Sequence, residues 1–225
     1  MASQQIQSSP DDFWSRRYKA EGVLWGEQPS PTAEIAIKHF LPEIQVVEIG
    51  FGYGRDLVFL AQQGFKITGV DSSTKGSQMA RSRLSKLGVN AEKIFTGRFE
   101  SVDLPQAHFA GVLSHRFLHL LTTPNEIDAF LDKLLQITLP GAIICIGARD
   151  TTDLNTEQMI SKGNGVFEYC KRPGHLISYW DQKRFTDVFA SSFEILDFTK
   201  QTEEESKDST ELCHLTVMVA KRKTI

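Results

Sequence analysis

The sequence predicts an α/β fold in which helices cover both faces of a mostly parallel sheet. Strand-like and helix-like segments alternate from residue 45 to about residue 150, and this alternation is typical of βαβ units. A glycine-rich turn follows the first strand, and residues 142–147 are almost wholly apolar. A central strand covered on both faces has that composition. We therefore expect a sheet buried between two layers of helices.

Local signals define the elements of this alternation in turn. Residues 45–49 are the first strand, and a helix with one apolar face is expected at residues 54–63. Thr123 and Glu126 form a capping box with a proline between them, which predicts the start of a later helix. The other expected strands are residues 66–71, 93–96, 109–114 and 142–147, and a further helix is expected over residues 72–87.

The pattern changes after the fifth strand. A polar, irregular stretch continues to Gly174, and a helix is expected over residues 181–189. Residues 194–199 and 212–220 have the composition of strands, and we expect them to form an antiparallel hairpin. Residues 201–211 between them are charged and lack apolar side chains, so we expect a solvated surface loop without a function.

Composition and charge restrict the class of protein. A chain of 225 residues with 40% hydrophobic content suits a single domain over residues 1–225. The formal charge of −3 provides no broad basic surface, which argues against nucleic acid and favours a small molecule as partner. The N-terminus lacks the features of a signal peptide, and no apolar run is long enough to span a bilayer, so we expect no membrane partner.

The three cysteines indicate a reducing environment. Cys145, Cys170 and Cys213 lie far apart, and two of them are in apolar strand-like segments. This spacing favours neither a disulfide framework nor a zinc site. We therefore expect a cytoplasmic protein. The sequence does not predict its oligomeric state.

The most informative motif is the turn after the first strand, which carries Gly50, Gly52 and Gly54. Glycine tolerates positive φ and has no Cβ, so backbone in such a turn can approach a ligand closely. Dinucleotide-binding folds use a related turn, but their third glycine would fall at Arg55. A nicotinamide-dependent oxidoreductase is therefore the less favoured interpretation.

Two acidic residues complete a different pattern. Glu48 precedes the glycine turn and Asp71 ends the second strand, and with the glycines they resemble class I S-adenosylmethionine (SAM) methyltransferases. The resemblance implies a Rossmann-like, seven-stranded, mostly parallel sheet with a C-terminal antiparallel hairpin and an N-terminal helical lid. It also implies that the glycine turn passes under the methionine part of SAM, that Arg55 and Ser72 contact the cofactor, and that Asp71 holds the ribose hydroxyls.

The segment that resembles the adenine-binding part of this family departs from the family pattern. Arg98 stands where the family commonly has an acid that binds the adenine amino group. We therefore expect adenine to be recognised by stacking on Phe99 and by the backbone groups of Phe99 and Glu100.

Two histidines follow the fourth strand, where family members line the channel between cofactor and substrate. Ser114 is expected to contact the cofactor, and His115 or His119 is the candidate general base, because imidazole titrates near neutrality. The pair lacks a third metal ligand at a recognisable spacing, so no metal is expected.

The two ends of the chain resemble the tellurite-resistance and thiopurine methyltransferase group. In that group a tryptophan-led helix covers the cofactor, which makes Trp14, Tyr18 and Trp25 the lid candidates. A later segment closes over the substrate there. The candidate substrate-binding residues are Arg116, Arg149, Arg172 and His175.

The resemblance divides the chain into three parts. Residues 1–44 are expected to form the lid, residues 45–150 the SAM-binding core, and residues 151–225 the substrate-covering segment and hairpin. The implied activity is transfer of the SAM methyl group to a small-molecule nucleophile, with sulfur, selenium, tellurium or another heteroatom as acceptor, and with S-adenosylhomocysteine as product. The alternative is a non-catalytic SAM-binding module.

Overall fold

One seven-stranded sheet organises the protein. The computed structural model describes residues 10–153, 158–170, 172–207 and 209–224, so residues 1–9 of the expected lid lie outside it. The strands lie in the order β3-β2-β1-β4-β5-β10-β9. Their bounds are β1 Gln45–Ile49, β2 Lys66–Asp71, β3 Lys93–Thr96, β4 Phe109–His115, β5 Thr138–Arg149, β9 Phe193–Glu204 and β10 Leu212–Arg222.

The strand directions confirm the predicted fold class. β1 pairs in parallel with β2 and β4, and the parallel pairing continues outward to β3 and β5. β10 runs antiparallel to both β5 and β9, which forms the expected C-terminal hairpin. The fold is therefore the Rossmann-like sheet with a terminal hairpin.

Six α-helices are present in the described part of the chain. They are α1 Pro10–Glu21, α2 Pro31–Ala36, α3 Arg55–Gln62, α4 Thr74–Leu87, α5 Pro124–Ile137 and α6 Gln182–Phe189. The capping box at the start of α5 is confirmed, since Thr123 and Glu126 exchange the two expected hydrogen bonds. No helix among the described residues is long and apolar enough to cross a bilayer.

The sheet is buried on both faces. Val46 of β1 packs with α2, α3 and α4, whereas its neighbour Val47 packs on the opposite face with α5 and α6. Successive side chains of a strand point to opposite faces, so both layers of helices are needed to cover β1. This arrangement leaves the carboxyl ends of the parallel strands at one edge.

Two expectations for the C-terminal part are wrong. The stretch expected to be irregular contains a small antiparallel sheet of β6 Met159–Gly163, β7 Val166–Tyr169 and β8 Leu176–Ser178. Its strands are too short to show a clear period in the sequence. The expected solvated loop at 201–211 also fails, because β9 continues to Glu204 and pairs with β10 there. Of that loop, residue 208 lies outside the described residues.

Candidate active site

A cavity lies at the carboxyl ends of β1, β2 and β4. Crevices at this edge are the usual ligand sites of open α/β sheets. The residues that line it come from the N-terminal segment, the glycine turn, the ends of β2 and β4 and the segment after β3. The lining includes Trp14, Tyr18, Trp25, Glu48, Gly50, Gly52, Tyr53, Arg55, Asp71, Ser72, Phe99, Glu100, His115, Arg116 and Phe117.

Two of the turn glycines allow close approach beside this cavity. Gly50 and Gly52 have φ of +78° and +57°. A Cβ on Gly50 would lie 2.8 Å from Phe117, and one on Gly52 would lie 2.5 Å from the Tyr18 hydroxyl. These contacts exclude any larger residue without movement of the neighbours.

Gly54 has a different role. It precedes α3 with φ of +83°, and a Cβ there would lie 2.6 Å from the Cβ of Ala80 in α4. Gly54 is outside the lining of the cavity. Gly54 therefore has a packing role, in which it lets two helices approach closely, and its contact with a cofactor stays a prediction.

Asp71 connects the end of β2 to the glycine turn. Its Oδ2 accepts a hydrogen bond from the Gly52 amide at 2.7 Å, and its Oδ1 accepts one from the Ser73 amide at 2.7 Å. Asp71 therefore holds the turn in place, and it lines the cavity where the resemblance places the ribose hydroxyls.

Glu48 is the most unusual acid of the cavity. Its side chain is buried, and Oε2 has no hydrogen-bond partner among the described residues. Burial, and then the charge of Asp56, raises the pKa of Glu48 well above its usual value, while Arg55 opposes the shift. A buried acceptor without a partner is costly, so Glu48 is suited to a donor supplied by a ligand.

Aromatic residues cover the cavity. Trp14 and Tyr18 of α1 stack at a centroid distance of 5.9 Å, and Trp25 stacks on Tyr53 at 6.2 Å. The Tyr53 hydroxyl donates to the Gly26 carbonyl at 2.7 Å and accepts from the Trp25 amide at 3.1 Å. The structure thus brings all three lid candidates to the cavity. Tyr53, which the sequence analysis did not single out, holds the lid segment to the glycine turn.

The segment after β3 contributes differently from the expectation. Phe99 is only 3% exposed, and its ring packs on Phe130 in the core at a centroid distance of 5.4 Å. That packing does not favour the expected stacking on adenine. Glu100 forms an ion pair with Arg98 at the surface. Gly97 brings the backbone of this segment to the cavity, and Phe117 offers a second aromatic wall.

The structure separates the two candidate bases. His115 lines the cavity, but Nδ1 lies 2.8 Å from Thr32 Oγ1 and Nε2 lies 2.9 Å from Glu203 Oε1. His119 is buried away from it in a short 3₁₀ helix, where burial first and nearby arginines second lower its pKa well below the usual value. Ser114 is also outside the cavity lining, because its hydroxyl donates to the Ile49 carbonyl at 3.2 Å.

A second, smaller cavity of about 30 Å³ adjoins the first and shares Trp14, Trp25, Arg116 and Leu120 with it. All four residues expected to bind substrate line this space: Arg116, Arg149, Arg172 and His175. His175 stacks between Phe13 and Tyr169 at centroid distances of 5.0 and 5.5 Å.

Two acids at the end of the hairpin complete the site. Arg116 donates to Glu203 at 3.1 Å and to Glu205 at 2.7 Å, and Arg149 pairs with Glu205 and Asp153. Burial alone would raise the pKa of Glu203, but His115, Arg116 and Arg55 together lower it below its usual value.

Sequence reasoning missed Glu203 and Glu205 because a run of acids resembles a solvated loop. The sequence Gln-Thr-Glu-Glu-Glu of residues 201–205 has no apolar alternation, and the alternating burial of residues 201, 203 and 205 appears only once β9 has paired with β10.

Comparison with known families assigns the central part of the chain. Residues 46–141, which include the glycine turn, Asp71 and β4, match the family described as methyltransferase domain. Residues 46–141 form a methyltransferase domain. No curated protein matches the chain at a significant level.

Solved structures share the fold of this methyltransferase. A SAM-dependent methyltransferase from Methanosarcina mazei is 17% identical, with a TM-score of 0.75 over 88% of this chain and 100% of the other. A protein solved in a study of the conversion of a disulfide bond into a thioacetal group during echinomycin biosynthesis is 18% identical, with a TM-score of 0.73 over 95% and 93%. The 1,6-didemethyltoxoflavin-N1-methyltransferase of Burkholderia thailandensis, solved with S-adenosylhomocysteine, is 20% identical, with a TM-score of 0.69 over 95% and 86%.

Residues 46–141 match a methyltransferase domain, so the protein is an enzyme, and its fold is that of SAM-dependent methyltransferases, for which SAM is the cofactor. The residues that line the larger cavity fit this cofactor. Glu48 Oε2 lacks a donor that the amino group of SAM would supply, and a Cβ on Gly50 or Gly52 would crowd the turn. The methyltransferase has no cluster of three or more potential metal ligands within its described residues.

Proposed function

We propose that this methyltransferase transfers the SAM methyl group to a small-molecule nucleophile whose acceptor atom is sulfur, selenium, tellurium or another heteroatom with a lone pair available near neutral pH. The observation that carries the proposal is that both ring nitrogens of His115 have partners within the chain. His115 is the one imidazole that lines the cofactor cavity in the described part of the chain, and Thr32 and Glu203 engage both of its nitrogens. An acceptor that needs no protein base fits such a site.

The chain's own contribution is positioning and exclusion of water. When bound, SAM supplies a sulfonium-activated methyl group, so the transfer needs little covalent help. Trp14, Tyr18 and Trp25 cover the cavity and would shield that methyl group, with aromatic faces that attract a cation. Glu48 and Asp71 would hold the amino group and the ribose hydroxyls of the cofactor.

Two structural relatives support a small-molecule acceptor whose methylated atom is a heteroatom. One comes from a study of disulfide conversion to a thioacetal, and another methylates N1 of 1,6-didemethyltoxoflavin. The sequence resemblance to the tellurite-resistance and thiopurine methyltransferase group points in the same direction. The proposal therefore includes a sulfur, selenium or tellurium acceptor first and a nitrogen acceptor second.

The remaining parts of the proposal concern setting and partners. We infer a single domain over residues 1–225 that acts in the cytoplasm without a nucleic-acid or membrane partner. The net charge of −3 supports the first exclusion. All three cysteines are free, and Cys145 and Cys213 are buried, which supports a reducing location.

Methyl transfer to a graded series of thiols tests the proposal. The protein is incubated with SAM and with thiols of different pKa, and in parallel with amines and alcohols, and S-adenosylhomocysteine formation is followed against pH. We expect the rise in kcat/KM to follow the pKa of each thiol, because the thiolate itself is the nucleophile.

Three other results of this experiment would contradict the proposal. A pH profile that is the same for every thiol would indicate a protein base. Turnover restricted to alcohols would contradict the acceptor class, and SAM binding without turnover of any thiol or amine would favour a non-catalytic module.

A further inference from the structure

The carboxylate of Glu205 occupies a fork between two buried arginines. Its Oε2 accepts from Nη2 of Arg116 at 2.7 Å and also pairs with Nη2 of Arg149. Each arginine has a second acid of its own, since Nη1 of Arg116 contacts Glu203 and Nη1 of Arg149 contacts Asp153. Neither guanidinium therefore depends on Glu205 as its sole partner.

Two further groups near this fork can donate hydrogen bonds to a bound acid. His119 Nδ1 is buried and has no hydrogen-bond partner among the described residues. The guanidinium of Arg172 lies 5.6 Å from the centre of the Tyr169 ring, and it forms no ion pair within the described part of the chain. The enclosed space of about 30 Å³ has room for about two water-sized groups, which is the size of a carboxylate head.

Glu205 can leave the fork without a change in the backbone. Its carbonyl accepts from Trp25 Nε1 at 2.8 Å, and its amide donates to the Glu211 carbonyl at 2.8 Å. The side chain is 21% exposed. A rotation about its own side-chain torsions would carry the carboxylate toward solvent while these backbone hydrogen bonds stay in place.

We propose that the smaller cavity binds an acidic group of the methyl acceptor, of the carboxylate class, and that this group displaces Glu205 from between Arg116 and Arg149. The proposal rests on the proposed function, because it describes the acceptor of that reaction. The acceptor atom would lie in the larger cavity, and the acid would lie past the shared wall formed by Trp14 and Trp25.

Charge balance explains why an acid is selected. Exchange of one carboxylate for another keeps the number of buried charges constant. A neutral acceptor that displaced Glu205 would leave part of two buried guanidinium groups uncompensated, and uncompensated buried charge is strongly unfavourable. Selectivity for an acidic acceptor therefore follows from the resident acid itself.

The test compares mercaptoacetate with 2-mercaptoacetamide, which lacks the charge. Binding of each to the full chain is measured by calorimetry, with and without saturating S-adenosylhomocysteine. We expect Glu205→Gln to tighten mercaptoacetate binding about tenfold and to leave the amide unchanged, because the fork is no longer occupied most of the time. A residue that only positioned the arginines would give the opposite change.

Glu204→Gln is the matched control. Glu204 is the adjacent acid and is exposed, so the substitution removes the same charge outside the cavity. We expect both ligands to bind this variant as they bind the wild type. Equal tightening in the two variants would overturn the proposal, because it would reflect a general change in charge.

Arg172→Gln provides a second, independent variant, since the Arg172 residue is exposed and its loss should not affect folding. We expect it to weaken mercaptoacetate binding about tenfold and to leave the amide unchanged. Equal affinity of wild type for acid and amide, or no binding of either, would overturn the acid site. Loss of S-adenosylhomocysteine binding or of methyl transfer would instead overturn the proposed function, and the titrations without cofactor would still report on the acid site.

Discussion

The two cavities of this methyltransferase differ in whether their buried charged groups already have partners within the chain. In the cofactor cavity, the buried Glu48 has an oxygen without a partner among the described residues, so a cationic donor gains a full interaction. In the smaller cavity, Arg116 and Arg149 are already paired with acids of the chain. A cationic ligand would therefore supply a missing partner in the larger cavity, whereas a carboxylate in the smaller cavity would have to replace an existing ion pair.

The largest expected effect concerns Asp71, on the cofactor side. Asp71→Ala removes the acceptor of the Gly52 and Ser73 amides as well as the expected ribose contact. We expect S-adenosylhomocysteine affinity to fall more than about 100-fold, since each charge-assisted hydrogen bond contributes about 1.5–3 kcal/mol. Calorimetry measures this change.

Asp128→Ala is the matched control for that substitution. Asp128 is exposed on α5, away from both cavities, so its loss should leave affinity unchanged. A similar fall in both variants would show that general charge, not the end of β2, holds the cofactor.

The next expected effect tests whether Gly54 of the glycine turn is needed for packing against α4. Gly54→Ala should destabilise the fold by about 2–3 kcal/mol more than Gly64→Ala, because inserting a methyl group into a packed contact costs energy. The two glycines have φ of +83° and +84°, but only Gly54 has a neighbour, Ala80, at 2.6 Å from the added Cβ. Denaturant unfolding measures the difference, and equal losses would contradict the packing role.

The position of the glycine turn and of Asp71 could be predicted from the sequence because local rules determine it. Both are adjacent to strands whose apolar pattern fixes their position. The ion pairs of the smaller cavity depend on pairing between distant segments. Glu205 meets Arg116 and Arg149 only after β9 and β10 pair with the rest of the sheet, and isolated acids carry no record of their partners. His115 and His119 are four residues apart, yet they enter different cavities because β4 ends between them.

Replacement of Glu48 should stabilise the cofactor-free protein and weaken cofactor binding. Its pKa is raised in the folded protein, so the stability associated with the neutral carboxyl is present below the unfolded value of 4.5 and is lost as pH rises through the folded value. Glu48→Gln removes this loss. We expect the cofactor-free variant to be more stable by about 1 kcal/mol at neutral pH, and to bind S-adenosylhomocysteine about tenfold more weakly.

Two measurements check these opposite effects of Glu48→Gln on stability and on binding. Denaturant unfolding over a pH series should show the stability difference between variant and wild type growing as pH rises. Calorimetry in buffers of different ionisation enthalpy should show proton release on binding to the wild type only. Tighter binding by the variant, or proton release from it, would contradict the role of Glu48 as partner of the cofactor's amino group.

At neutral pH the smallest expected effect is that of His175, in the smaller cavity. Burial first, and then the charge of Arg172, lower its pKa from 6.5 to about 4. The unfolded chain therefore binds more protons between these values, so the folded state loses stability as pH falls from 6.5 toward 4. His175→Gln should remove this part of the acid dependence and leave stability at neutral pH nearly unchanged.

NMR titration of the His175 ring measures its pKa directly, and unfolding at pH 7.5 and pH 5 measures its linkage to stability. A ring that titrates at the usual value would contradict the stacked, neutral state between Phe13 and Tyr169.

The same titration distinguishes displacement of Glu205 from binding of an acid beside it. A carboxylate that displaces Glu205 replaces one negative charge by another, so the His175 pKa should move little when mercaptoacetate binds. Addition of an acid beside an intact Glu205 would instead raise that pKa, because a second negative charge would favour the imidazolium.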